Sequence, residues 1–198
     1  MNNRNSKIAI GIAGVFEIVL ITTAIFSIIS KEWNKFSLVL IAIACIILPF
    51  IITKIANKKN IMLPSTFQLV VVLFISLTLY FGEIKNFYSI FWWWDLFLHG
   101  FFGGYAVIVA LYLIQGIIIR EKEVTKERCT IFTLIFAFSF SITLGTLWEM
   151  FEFLGDYIFK TDMVNGGLED TASDLIIKII AAFITAIICY YRKFNNQK

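Results

Sequence analysis

The 198-residue chain is 59% hydrophobic and 16% charged, with a mean hydropathy of +0.83. That composition excludes an ordinary soluble domain, which carries more charge and shorter apolar runs. A net charge of +3 gives no nucleic-acid footprint, because the basic residues fall in short segments between apolar runs, where they report membrane topology.

A run of about 18 or more apolar residues crosses the ~30 Å hydrocarbon core as a helix. Six segments read this way, making an all-α, polytopic membrane bundle in a single domain, 1–198. The first, residues 8–30, follows a polar start with Arg4 and Lys7. Its apolar core is too long for a signal peptide and lacks a small-x-small cleavage site, so it reads as a membrane helix. Glu17 lies near its middle, a functional candidate because an intramembrane carboxylate is costly. The second segment, 36–55, contains Pro49, which predicts a kink. Pro64-Ser65-Thr66 suits a helix entrance and opens the third, 66–81.

A connector over 82–94 ends in Trp92, Trp93 and Trp94, the composition of an interfacial belt with wet indole N–H groups. The fourth segment, 95–119, carries a GxxxG step at Gly100 and Gly104 that lets another helix backbone approach closely. A charged loop, 120–128, leads to the fifth, 129–159, whose length predicts tilt or emergence beyond the bilayer. Asn165-Gly166-Gly167 marks a turn before the sixth, 170–191, and a basic tail follows. Cys45, Cys129 and Cys189 are far apart and form no CxxC pair, so they read as small hydrophobes.

Six crossings put both termini on one side. Twelve Lys and Arg residues fall in the N-terminus, the second and fourth loops and the tail, against four in the opposite loops. The positive-inside rule therefore predicts cytoplasmic termini.

Chain direction then collects the ionisable residues. Asp95 and His99, the single histidine, stand at i and i+4 where the fourth helix enters from outside. Glu149, Glu152 and Asp156 stand at i, i+3 and i+7 where the fifth leaves. Asp170, Asp174 and Lys178 share one face where the sixth enters. Polar faces in a bilayer turn toward the bundle interior, so these three should meet, with His99, Glu149 and Asp174 deepest.

Three readings are open. The cluster could be a structural knot, with Lys178 neutralising Asp174 one turn away. It could be a metal or catalytic site. Its carboxylate-rich donors suit Mg, Mn or Fe better than zinc, and Glu149-x-x-Glu152 lacks the histidine of a di-iron pattern. His99 could also act as a general base on a lipid-like substrate. The third reading is a small proton- or cation-coupled transporter, though no repeat or broken-helix pair supports it. The chain has no P-loop, GxGxxG, HExxH or GxSxG, which weighs against nucleotide hydrolysis, zincin and serine-hydrolase chemistry.

On Asp95-x-x-x-His99, Glu149-x-x-Glu152 and Asp170-Thr171-x-x-Asp174, in that order, residues 90–190 resemble the uncharacterised YjdF-type family of bacterial inner-membrane proteins. More distantly they are similar to the VanZ-like group, with its D-K-x-x-H, E-x-x-Q and late aspartate. Leu96 here replaces that lysine and Glu152 that glutamine. The resemblance implies a multi-pass bacterial plasma-membrane protein whose matched residues are the functional ones; it supplies no substrate.

The expectation is an outward-facing site for binding or chemistry on a lipid or cell-envelope compound. His99, Asp95 and Glu149 are the catalytic candidates. Asp95, His99, Glu149, Glu152, Asp170 and Asp174 are the candidate ligands for a divalent cation. The lipid bilayer is the expected partner and nucleic acid is not; whether the protein is an enzyme stays open.

Overall fold

In a bilayer each backbone N–H and C=O must be satisfied within its own segment, which forces apolar runs into helices. The computed structural model describes residues 3–115, 125–159, 164 and 167–195. Among them are α1 (Asn3–Ile29), α2 (Trp33–Lys58), α3 (Phe67–Ile84), a short α4 (Phe87–Ile90), α5 (Trp94–Gln115), α6 (Lys126–Phe159) and α7 (Leu168–Asn195), and no strand. All but α4 are long and apolar enough to cross a membrane, the six expected spans.

Several ends differ from the apolar runs. Helix α1 begins at Asn3, and α2 extends three residues past the expected run at each end. A helix continues through polar residues once its hydrogen-bond ladder is running, so the edge of an apolar run is not its terminus. Helix α2 is unbroken through Pro49; Thr53 Oγ1 donates to the Pro49 carbonyl at 2.7 Å.

Helix α3 is α-helical to Ile75 and π-helical over Ser76–Ile84, so it takes in the first residues of the expected connector. Asn86 then adopts a left-handed conformation, φ 58°, and turns the chain into α4. Residues 116–124, expected to finish the fourth span and form most of the charged loop, lie outside the described residues, as do Asn165 and Gly166. Gly167, at φ +68°, makes the turn into α7, a conformation glycine adopts without a Cβ penalty.

Trp92 is exposed, as a belt residue should be. Trp94 departs from the belt expectation. It packs against Phe87 and Phe91, with an enclosed Nε1 that lacks a hydrogen-bond partner among the described residues.

Two apolar cores divide the bundle. Leu20, Val39, Ile46, Val72 and Leu79 unite α1, α2 and α3. Val107, Ala110, Ala137 and Ala182 unite α5, α6 and α7. Phe74 of α3 bridges them, its ring 5.4 Å from that of Phe102 and 5.7 Å from that of Trp148.

Within the second unit α5 and α7 cross closely, as the glycine step predicts, but the tightest point is Gly103. A Cβ there would lie 2.6 Å from the Lys178 carbonyl oxygen and 3.0 Å from its Cα. At Gly100 a Cβ would meet Ile177 Cγ1 and Ala181 Cβ, at an ordinary 3.5 and 4.0 Å. Ser141 Oγ of α6 donates to the Gly103 carbonyl at 2.7 Å, tying the third helix to the same crossing.

Candidate functional site

The start of α5, the end of α6 and the start of α7 share one end of this unit. With a rise of ~1.5 Å per residue, Asp95 and His99 sit about one helical turn apart on α5. Glu149 and Glu152 share a face of α6, and Asp174 and Lys178 a face of α7. The geometry brings these faces together around the imidazole. His99 Nε2 lies 2.9 Å from Asp95 Oδ1 and 3.4 Å from Asp174 Oδ2, and Nδ1 lies 3.7 Å from Glu149 Oε1. His99, Glu149, Glu152, Asp174 and Lys178 are all buried; Asp95 is the open member, its side chain 25% exposed.

Two groups of candidate ligand atoms share His99. Asp95, His99 and Asp174 offer one atom each within 4.8 Å of one another, and so do His99, Glu149 and Glu152. Asp170 and Asp156 belong to neither. Asp170 stands a turn before Asp174 and is felt by it electrostatically, while Asp156 Oδ2 accepts the Val164 N–H at 2.9 Å, bracing the return to α7. Glu17, on α1, is also in neither group; its Oε1 is enclosed without a hydrogen-bond partner among the described residues.

The partners differ around the cluster. Lys178 makes its direct ion pair with Glu149 across the helix interface; its charge also reaches Asp174, as the structural reading expected, without a direct bond to it among the described residues. The reason is steric. Gly103 lets α7 lie against α5, and Gly145 leaves room beside the lysine stem, where a Cβ would be 3.0 Å from Lys178 Cδ. The ammonium therefore reaches α6. Trp148 Nε1 donates to Glu152 Oε1 at 2.7 Å. Asp174 is only 2% exposed, and its Oδ1 has no hydrogen-bond partner among the described residues.

Charge shows what such a cluster demands. Four carboxylates face one ammonium and one imidazole, leaving two negative charges if His99 is protonated and three if it is neutral. Burying unpaired charge away from water costs several kcal/mol per group, so neutrality calls for bound protons or a bound cation.

One neighbour carried no signal in the sequence. Tyr88, on α4, packs its ring on Gly82 of the π-helical stretch, at a point where a Cβ would collide with it. Burial, followed by the carboxylates of Asp95, Glu83, Glu152 and Asp174, holds its phenol well above the usual tyrosine value. Helix α4 thus places a phenol within electrostatic reach of the cluster. A lone tyrosine in a connector has no periodicity that would reveal this.

The six spans and the polar face buried among them define a polytopic integral membrane protein. The chain belongs to the family described as predicted membrane protein (DUF2238), whose profile matches residues 12–195. It is 28% identical over 145 residues to an uncharacterised protein of Thermotoga maritima, covering 73% of this chain and 71% of that one. These matches agree with the expected uncharacterised membrane family and do not bear on the VanZ-like likeness. No solved structure matches the chain.

Proposed function

We propose that this is a multi-pass protein of a bacterial plasma membrane with both termini in the cytoplasm. The His99 cluster then faces the exterior, where it binds or transforms a lipid or cell-envelope compound with the help of a divalent cation. The observation that carries this reading is the convergence of Asp95, Glu149, Glu152 and Asp174 on one buried imidazole, more carboxylates than the single Lys178 ammonium can pair. In a water-poor bundle a divalent ion satisfies such donors in one step, and oxygen-rich sets favour Mg or Mn.

The Lys178–Glu149 pair favours a second reading, in which the cluster only locks helices. Metal analysis separates the two. The purified protein should carry a divalent ion in stoichiometric amount and lose it in Asp95→Ala, which alters the most exposed member and should still fold. No metal in either protein would remove the cation from the account and leave the lock.

Orientation has its own check. Single cysteines placed near either terminus of a cysteine-free variant should resist membrane-impermeant maleimide in intact cells and react after lysis. Labelling of intact cells would turn the cluster toward the cytoplasm.

A further inference from the structure

Resting on the cation reading, we infer that the cluster holds one divalent ion, seated between Asp95, His99 Nε2 and Asp174. Glu149 orients the imidazole from behind, and Lys178 permanently fills the place a second ion would take.

The two ligand groups are not equivalent. On the Nδ1 side Glu149 is engaged by the Lys178 ammonium and Glu152 by the Trp148 indole. On the Nε2 side Asp174 Oδ1 is enclosed and has no partner among the described residues, and Asp95 is the one carboxylate of the cluster with substantial exposure. The unpartnered oxygen of Asp174 and the way in past Asp95 therefore lie on the same side of the ring.

The separations suit an ion there. Bonds of about 2.1 Å at right angles put neighbouring ligand atoms about 3.0 Å apart. His99 Nε2 is 2.9 Å from Asp95 Oδ1 and 3.4 Å from Asp174 Oδ2. On the opposite face His99 Nδ1 lies 3.7 Å from Glu149 Oε1. A metal-bound histidine nearly always gives its other ring N–H to a carboxylate, which fixes the ring and raises its basicity. Lys178 anchors that carboxylate, so Lys178, Glu149, His99 and the ion form one line from α7 through α6 to α5. Three protein ligands leave positions of an octahedral shell open for water or an oxygen-bearing headgroup on the Asp95 side.

Mn²⁺ is the probe, added to full-length protein in detergent and followed by electron paramagnetic resonance. The wild type should bind one equivalent, with coupling to one imidazole nitrogen that His99→Gln abolishes. Asp174→Asn should weaken binding at least about 100-fold and Glu149→Gln about 10- to 100-fold, with the nitrogen coupling retained in Glu149→Gln. Glu152→Gln should weaken binding far less than Asp174→Asn does, because the Trp148 indole already engages Glu152 on the other side of the ring. If Asp174→Asn does not fold, Asp95→Asn carries the same prediction from a more exposed position. Two equivalents in the wild type, or loss in Glu152→Gln with retention in Asp174→Asn or Asp95→Asn, would overturn this placement while leaving a cation-binding protein. No Mn²⁺ bound by the wild type would overturn the cation reading as well.

Discussion

Gly103→Val should be the most damaging single substitution in the second helical unit, costing at least about 3 kcal/mol and in practice leaving little folded protein. Its added carbons have no flexible neighbour to displace. The atoms facing Gly103 are the Lys178 carbonyl oxygen and Cα, both backbone, at 2.6 and 3.0 Å from the first of them. Relief would require α7 to move away from α5, taking Asp174 and Lys178 out of reach of His99 and Glu149. Gly100→Ala is the matching control. Its Cβ would sit at van der Waals distance from Ile177, and alanine is better than glycine in a helix by roughly 0.5–1 kcal/mol. Reversible unfolding in mixed micelles should therefore give opposite signs at two glycines three residues apart. Equal effects would mean that α5 and α7 do not cross at Gly103.

Glu149→Ala should destabilise by about 3–5 kcal/mol, because it strands a buried ammonium. Lys178 is among the most completely buried side chains in the described structure, and Glu149 is its ion-pair partner. The double substitution Glu149→Leu with Lys178→Met should recover most of the loss, since replacing a buried pair with apolar groups of similar volume is often close to neutral. Such a non-additive cycle, measured by the same unfolding titration, would show that the damage in Glu149→Ala comes from the unpaired lysine. Additive losses would mean that the two side chains do not meet.

These cases mark what the sequence could and could not convey. The spans were legible because helices of about 20 apolar residues are what a bilayer permits. The meeting of Asp95, His99, Glu149 and Asp174 was legible too, since alternating chain direction fixes which helix ends lie together and i, i+4 spacing fixes the faces. Finer relations were not. That Lys178 pairs directly with Glu149 and not Asp174 depends on two gaps, at Gly103 and Gly145, formed only when three helices are packed. The GxxxG step at Gly100 and Gly104 announced a close crossing, but α7 presents backbone at Gly103, its tightest point, and the Thr185 hydroxyl nearest to Gly104. The π-helical turn at Ser76–Ile84 and the approach of Tyr88 belong to the same class, set by tertiary contacts that no spacing rule encodes.

The most direct test of the central claim is an anomalous-scattering map from crystals of the protein grown with Mn²⁺. One strong peak bounded by Asp95, His99 Nε2 and Asp174, on the side of the ring away from Lys178, is the predicted result. A map with no peak in the bundle, or with His99 turned outward to lipid, would contradict it.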